Sequence, residues 1–337
     1  MPMPMSFLAS PPQVLCLGEA LVDRLGPLGG DPAIDSPWDD RLGGAPANVA
    51  CALARLGTPT AFLGRLGRDG IGQAFAELFA ERGVDTRALQ WDGAHPSRIV
   101  LVRRDGEGER YFGGFAGDGG SGFADQAFDT TELATALGPL LATARWLLVG
   151  TIALASPFAA SALGLACRQA AAAGVALALD VNWRPTFWDP AADPASGPSA
   201  AQITAMEPLL RQAALVKCAA EEARWLFGSA DPAVVRAALP QHPDVVVTDG
   251  GAPLRWCFAG RSGELSAFRV PVVDSTGAGD AFTAGLLHGL LHDPLCSQPG
   301  QLLRFASACG ALVCQGAGAI DPQPSSGTVQ AFLAHRV

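Results

Sequence analysis

Lysine is almost absent from this 337-residue chain: of 23 basic residues only Lys217 is a lysine, and the others are arginines. Acidic residues are more numerous, with 32 Asp and Glu, so the formal net charge at pH 7 is −9. A nucleic acid or an anionic membrane would need a broad basic face on the protein. The charge balance therefore argues against both partners, and any bound anion must be held by a local site.

Two sequence patterns are also missing. The eight cysteines are scattered without the C-x2-C spacing of a zinc or redox site, so we expect buried free thiols in a reducing compartment. No apolar run approaches membrane-spanning length, and residues 1–12 carry no basic segment of the kind that opens a secretory signal. We therefore expect a cytoplasmic protein.

Familiar nucleotide-binding motifs are missing as well. The glycines at 64, 67, 70 and 72 do not form G-x-G-x-x-G, and neither a Walker-type loop nor the protein-kinase motifs occur. Hydrophobic residues make up 49% of the chain and charged residues only 16%. This composition is ample for a buried core, in one large domain or two smaller ones, and disfavours disorder.

Strand and helix patterns alternate along most of the chain. Short apolar runs occupy 14–18, 146–150, 175–180, 215–217 and 245–248, and the later runs are separated by segments rich in alanine and leucine. This alternation predicts an α/β fold with a mainly parallel sheet covered by helices on both faces. Ligands of such sheets bind beyond the carboxyl ends of the strands.

One stretch combines the features of an anion site with a carboxylate. The β-branched run Val270–Val273 predicts a strand, residues 274–279 form a glycine-rich turn, and a helical pattern follows. Free N–H groups and the helix dipole favour an anion at such a turn, and Gly277 and Gly279 allow close approach. Asp280 is then either a helix-capping carboxylate or a general base beside a phosphate, and the spacing alone leaves both open.

A second glycine-rich turn precedes a helix nearer the N-terminus. Gly43 and Gly44 lead into a helical pattern that ends at Gly57, and Asn48 lies in its first turn. The two glycines permit close approach of a ligand and Asn48 could hydrogen-bond it. A plain helix-entry turn explains the same residues equally well.

The two turns together resemble the N-terminal and C-terminal motifs of the PfkB carbohydrate kinases, the ribokinase-like sugar kinases, and most nearly the fructokinases among them. The resemblance implies a ribokinase-like α/β fold in one domain over residues 1–337, with a core from about 14 to 324. It also implies a small β-sheet lid from segments at about 24–42 and 97–115, the second built on a predicted hairpin around residues 105–108.

The resemblance assigns roles in the transfer of a phosphoryl group to a sugar. Asp280 is the implied catalytic base, and the amides of Gly277, Ala278 and Gly279 form the implied anion hole. The implied sugar-binding residues are Asp23, Gly43, Gly44, Asn48 and Arg184. Arg184 could instead be a loop arginine paired with a surface carboxylate.

Further residues are implied for ATP and for cations. The ATP-binding residues are Lys217, Thr248, Gly250, Gly277, Gly279 and Ser307. Because the chain otherwise avoids lysine, a lysine at a strand end favours a phosphate contact. Glu222 is implied to bind Mg²⁺ through water, and Asp274 and Thr276 match positions that hold a monovalent cation such as K⁺ in some relatives.

Two features depart from the family pattern. Ala219 stands where the magnesium motif has Asn or Ser, three residues before Glu222. The glycine-rich segment 113–122 replaces a polar, arginine-bearing one and predicts a flexible loop.

The implied reaction is ATP-dependent phosphorylation of a primary sugar hydroxyl, from D-fructose to fructose 6-phosphate, with ATP and Mg²⁺. Ketodeoxygluconate, ribose and a nucleoside stay open as acceptors, and a sugar sensor without turnover is the alternative outside enzymes. The family resemblance further implies a homodimer formed through the lid.

Overall fold

The computed structural model describes residues 10–106, 110–117, 122–292 and 298–336. The strands are β1 (Val14–Leu17), β2 (Leu21–Leu28), β3 (Asp39–Gly43), β4 (Thr60–Leu63), β5 (Arg65–Gly67), β6 (Gln90–Asp92), β7 (Arg98–Arg104), β8 (Arg110–Phe115), β9 (Trp146–Val149), β10 (Ala176–Asp180), β11 (Leu215–Ala219), β12 (Asp244–Thr248), β13 (Leu254–Phe258) and β14 (Arg261–Leu265). The helices are α1 (Ala45–Leu56), α2 (Gly70–Arg82), α3 (Thr130–Leu141), α4 (Pro157–Ala172), α5 (Pro185–Trp188), α6 (Ala200–Leu210), α7 (Ala220–Phe227), α8 (Pro232–Ala238), α9 (Ala278–His292), α10 (Pro299–Val313) and α11 (Ser326–Ala334).

The main sheet has eight strands in the order β14-β13-β12-β11-β10-β9-β1-β4. All pairs from β4 to β12 are parallel, and β13 and β14 extend the sheet as antiparallel strands. The mainly parallel α/β fold expected from the sequence is thus confirmed. Because β9 to β12 lie side by side in chain order, the residues after their carboxyl ends meet along one edge.

Helices cover both faces of this sheet, as the nearly continuous apolar strands require. Val14 and Cys16 of β1 belong to a core cluster with residues of α1, α9 and α10, whereas Leu15 and Leu17 belong to another with residues of α3 and α4. None of these four side chains is more than 1% exposed. The N-termini of α1 and α9 therefore lie on the same face of the sheet.

A small sheet in the order β3-β2-β7-β8 is the second layer that matters for function. Strand β2 pairs with β7 in parallel, and β3 and β8 are antiparallel to their neighbours. The predicted hairpin is the β7–β8 pair, although residues 107–109 lie outside the described residues. Gly113 to Phe115 belong to β8, so the loop predicted for 113–122 begins only after them; residues 118–121 are not described.

The strand predicted over Val270–Val273 is wrong. Val272 and Val273 are 66% and 65% exposed, and their segment has no partner strand among the described residues. Its backbone is held instead by Cys314, whose carbonyl accepts a hydrogen bond from the Val273 N–H at 2.8 Å. A β-branched run favours a strand only where a sheet edge is available to pair with it.

The cysteines and the lengths of the apolar helices can be compared with what the sequence predicted. The seven cysteines among them are free, and all but Cys314 are buried, as expected; Cys296 lies outside the described part. Within the same part of the chain, no helix is long and apolar enough to cross a membrane.

Candidate active site

A cavity of about 570 Å³, here called the main cavity, lies between the carboxyl edge of the main sheet and the small sheet. Asp23 and Arg41 line it from the small sheet, and Asn48, Lys217 and Asp280 line it from the core. Its volume lies within the usual range for small-molecule sites. The fold thus brings two motifs that are far apart in the sequence, around Asn48 and Asp280, to the same wall of one cavity.

Asp280 and Asn48 are joined directly. Asp280 lies in the first turn of α9, and its Oδ2 atom accepts a hydrogen bond of 2.8 Å from Nδ2 of Asn48, near the start of α1. Asn48 is only 4% exposed, and its Oδ1 atom has no partner among the described residues. The bond fixes the carboxylate, and Oδ1 is a buried acceptor that no described residue satisfies.

The surroundings of Asp280 make it a weaker acid. Burial raises the pKa of Asp280 to about 6, and the negative charge of Asp180 adds to the rise. The Asn48 hydrogen bond and the cations Lys217 and Arg184 oppose it. A carboxyl with this pKa can accept a proton near neutral pH and release it again.

The first turn of α9 offers free backbone donors. Within the described residues the amides of Gly277, Gly279 and Asp280 have no hydrogen-bond partner, whereas the Ala278 amide donates to the Ser275 carbonyl at 3.2 Å. Of the three amides predicted for an anion hole, two are therefore free and one is used. Donors at the positive end of a helix form a site for an anion such as phosphate.

Gly277 cannot be replaced without distortion. Its φ is +76°, and a Cβ atom there would lie 2.5 Å from the Cβ of Ala319. Only glycine combines this backbone conformation with so close a contact. The turn that presents the amides therefore requires glycine at position 277.

Lys217 is held by Asp180 rather than projecting freely. Its Nζ atom lies 3.0 Å from both carboxylate oxygens of Asp180, which pairs with it in register across β10 and β11. Thr283 of α9 also donates to Asp180, at 3.0 Å. Burial alone would lower the pKa of Lys217, but Asp180 and Glu222 raise it overall, so the amine stays charged.

The Lys217 amine also lies close to the backbone at the start of α9. A Cβ atom built on Gly279 would be 3.2 Å from Nζ. The pair with Asp180 therefore places a fixed positive charge beside the free amides. This position is compatible with the phosphate contact predicted for Lys217, which stays a prediction.

The other residues predicted for the sugar lie around the same cavity. Arg184 lines it, is exposed, and donates to the carbonyl of its neighbour Trp183 at 2.9 Å; among the described residues it forms no ion pair. Asp23 lines the cavity from β2, and a Cβ atom on Gly43 would lie 3.1 Å from its Oδ2. Gly44, at φ +99°, is the N-cap of α1.

The carboxylates predicted for cations are engaged with backbone amides. Glu222 accepts from the amides of Trp183 and Ala219, each at 2.7 Å, and does not line the main cavity. Burial raises the pKa of Glu222, although Lys217 opposes this. No group of three or more His, Cys, Asp or Glu that could hold a metal occurs in the described part of the chain.

Asp274 is occupied in a similar way. Its Oδ1 accepts from the amide and hydroxyl of Thr276, at 3.0 and 2.7 Å, and its Oδ2 accepts from the Gly318 amide at 2.9 Å. Arg41 of the small sheet lies 4.0 Å from Oδ2. Asp274 therefore organises the turn before α9 and connects it to the small sheet.

Three residues predicted for ATP lie outside the main cavity. Thr248 ends β12, where its hydroxyl donates to the Cys218 carbonyl at 3.4 Å, and Gly250 follows with a φ of +55°. Ser307 lies in α10 with a buried hydroxyl that has no partner among the described residues. Their role toward ATP stays a prediction.

Sequence reasoning missed two carboxylates and one arginine of the site. Asp180 had a usable signal, because it and Lys217 end neighbouring predicted strands with opposite charges. Glu19 and Arg41 had none, since only the folded chain shows that both line the main cavity.

Comparison with known proteins identifies a family whose sequence profile matches most of the chain. The sequence profile of the family described as "pfkB family carbohydrate kinase" matches residues 11–326. A relative from Arabidopsis thaliana, named "Probable fructokinase-6, chloroplastic", is 34% identical over 334 residues, which cover 96% of this chain and 82% of the relative.

Two solved structures are similar over nearly the whole chain. The fructokinase with bound ATP from Xylella fastidiosa has a TM-score of 0.80 and 29% identity, covering 96% of this chain and 98% of the other. The fructokinase from Vibrio cholerae O395, solved in a form with fructose, ADP and calcium ion bound, has a TM-score of 0.78 and 28% identity, covering 96% and 99%.

The raised pKa of Asp280 predicts a stability effect with a definite sign. Because the pKa rises from 3.8 to about 6 on folding, the protonated carboxyl stabilises the folded chain, and this contribution is lost as the pH rises through about 6. Asp280→Asn, which keeps an acceptor for Asn48, should therefore raise the free energy of unfolding at pH 8 by at most about 3 kcal/mol. The gain should shrink toward pH 4. Urea unfolding of both proteins at the two pH values measures it, and an equal difference at both would contradict the electrostatic origin.

Proposed function

As a member of the pfkB family of carbohydrate kinases, the chain is a phosphotransferase with a sugar acceptor, and we propose that it transfers the γ-phosphoryl group of ATP to the 6-hydroxyl of D-fructose. The observation that carries the proposal is the Asp280 carboxylate, held by Asn48 beside free amides at the N-terminus of α9. The choice of fructose is supported by the names of the relatives and by the fructose and ADP bound in the Vibrio cholerae structure.

In the proposed reaction, Asp280 accepts the proton of the 6-hydroxyl while that oxygen attacks the γ-phosphorus. A new O–P bond forms, the bond between the γ-phosphorus and the bridging oxygen breaks, and ADP leaves with that electron pair. The amides of Gly277 and Gly279 offset the negative charge on the transferring group, and the Lys217 amine adds a fixed positive charge. Asp280 is therefore both close to the phosphate site and of suitable basicity.

Mg²⁺ fits this site as a companion of ATP. Magnesium is commonly bound by one or two carboxylates together with substrate phosphates, so a dedicated cluster of protein ligands is not required. Glu222 does not line the main cavity and both of its oxygens accept amide hydrogen bonds, so it would act on Mg²⁺ only through water. When bound, Mg²⁺ supplies neutralisation of charge on the phosphate oxygens.

A monovalent cation at Asp274 fits less well. Both carboxylate oxygens accept hydrogen bonds from described residues, and the Arg41 guanidinium already lies near Oδ2. No step of the proposed mechanism depends on K⁺.

A homodimer through the small sheet is part of the proposal. Leu28, Ile34 and Trp38, which lie at the end of β2 and in the connection to β3, are 60%, 78% and 43% exposed. Three large apolar side chains exposed in this segment favour a protein contact.

Light scattering should give the mass of two chains for the unmodified protein. Ile34→Asp places a charge in the proposed contact and should shift the mass toward that of one chain. A single-chain mass for the unmodified protein would contradict the dimer.

Replacing the proposed base tests the reaction directly. Asp280→Asn keeps the shape and the Asn48 hydrogen bond but cannot accept the hydroxyl proton, so ADP release with Mg-ATP and fructose should fall at least about a hundredfold. ATP binding, measured by calorimetry, should persist. Asp231→Asn is a matched control, because Asp231 caps the N-terminus of α8 and asparagine caps equally well. Near-normal turnover by Asp280→Asn would sink the assignment of the base.

A further inference from the structure

Glu19 is a buried carboxyl in the site to which the proposed mechanism gives no role. It follows β1, is only 5% exposed, and lines the main cavity together with Asn48 and Asp280. A carboxyl this deeply buried is costly unless its oxygens are satisfied. Its contacts therefore indicate what it is placed to bind.

The carboxyl group of Glu19 is held by backbone amides and not by another side chain. Oε1 accepts a hydrogen bond of 3.1 Å from the Ala45 amide, at the first residue of α1. The carboxyl group also accepts from the backbone amide of Glu19 itself, and no side chain among the described residues donates to it. Gly44 also packs closely against the Glu19 backbone, because a Cβ atom on Gly44 would lie 2.6 Å from the Glu19 carbonyl oxygen.

The charged groups around Glu19 are already paired with one another. Arg98 and Asp125 line a small cleft beside it, and the Arg98 guanidinium donates to both Asp125 oxygens, at 2.7 and 2.9 Å. Asp180 lines another such cleft and is bound to Lys217. Among the described residues no cation forms an ion pair with Glu19.

The remaining charged residues of the main cavity do not change this picture. Arg41 is bound to Asp39 and lies near Asp274, and the positive charge of Arg184 lowers the pKa of Asp280. Burial raises the pKa of Glu19 to about 8; the amides of Glu19 and Ala45 oppose this rise, and the charges of Asp125 and Asp280 add to it. At neutral pH the carboxyl is thus a neutral group that can both donate and accept a hydrogen bond.

We propose that Glu19 is a further substrate-binding residue, whose Oε2 atom holds a non-reacting hydroxyl of the acceptor sugar while Asp280 acts on the 6-hydroxyl. The spacing suits this division, because Glu19 is anchored at Ala45 and Asp280 at Asn48, three residues further along α1. Those anchors are about 4.5 Å apart along the helix axis. The inference rests on the proposed sugar kinase function and adds a second point of attachment for the sugar.

This role also implies a class of substrate. A hydroxyl can donate to and accept from a neutral carboxyl, whereas a sugar acid would place a carboxylate beside Glu19. The nearby cation Arg98 is already neutralised by Asp125. The site thus favours a neutral polyol over a sugar acid at the end held by Glu19.

Fructose affinity, measured by isothermal titration calorimetry without ATP, tests the contact. Loss of one buried hydrogen bond in Glu19→Ala should weaken binding about tenfold. Glu19→Gln keeps a neutral donor and acceptor and should recover most of that loss. Glu132→Ala, an exposed residue of α3, is the control. An unchanged dissociation constant in Glu19→Ala overturns the proposal, and so does an equal loss in the Ala and Gln variants.

Deoxy sugars separate contact from a merely structural role. Removing the hydroxyl held by Glu19, as in 1-deoxy, 3-deoxy or 4-deoxy fructose, should weaken binding to the unmodified protein about tenfold and should cost nothing further in Glu19→Ala. If every deoxy sugar shows the same penalty in both proteins, Glu19 does not touch the sugar. Should Glu19→Ala fail to fold, Glu19→Asp, whose carboxyl is one methylene shorter, is expected to give the same pattern.

The two proposals can fail separately. Turnover of fructose by the unmodified protein, combined with an unchanged affinity in Glu19→Ala, leaves the proposed function in place and overturns the role of Glu19. The opposite outcome is a tenfold loss of fructose affinity in Glu19→Ala when the unmodified protein shows no turnover of fructose. It would support the contact and overturn the kinase reaction with fructose.

Discussion

The hydrogen bond between Asn48 and Asp280 is the contact on which the rest of the site depends. It joins the first turns of α1 and α9, which come from opposite ends of the sequence and lie on the same face of the main sheet. The bond can form only because both helices pack on that face. It orients the proposed base and favours its charged form, and the Oδ1 atom of Asn48 stays buried without a partner among the described residues.

The charges of the site explain how the partly buried Asp280 carboxylate could act as the proposed base. Burial makes ionisation of Asp280 costly, and a nearby ionised Glu19 would make it costlier still. A protonated Glu19 avoids that repulsion, and Lys217, held by Asp180, supplies a compensating positive charge. The single lysine of the chain is therefore placed where its fixed charge acts on Asp280, the proposed base, and lies beside the amides of the proposed phosphate site.

Local patterns predicted much of this arrangement, and the reasons for the failures are physical. The alternation of apolar runs and helices predicted the parallel sheet, and the glycines of the two turns marked the helix N-termini. Val270–Val273 was misjudged because β-propensity says nothing about whether a sheet edge is available. The role of Glu19 depends on burial and on neighbours from three elements, none adjacent in sequence, so no local pattern could reveal it. Thr248, Gly250 and Ser307 were predicted from resemblance alone, and the main cavity does not include them.

The most direct measurement is ADP release by the purified protein with Mg-ATP across a set of acceptors: fructose, ketodeoxygluconate, ribose, adenosine and no sugar. A site with Asp280 as base, a phosphate site at the start of α9, and a neutral wall at Glu19 predicts fructose-dependent release well above all the others. Release with ketodeoxygluconate alone would keep the chemistry at Asp280 but contradict the neutral-sugar specificity. No release with any acceptor, from protein that still binds ATP, would contradict the assignment of fructose as the substrate.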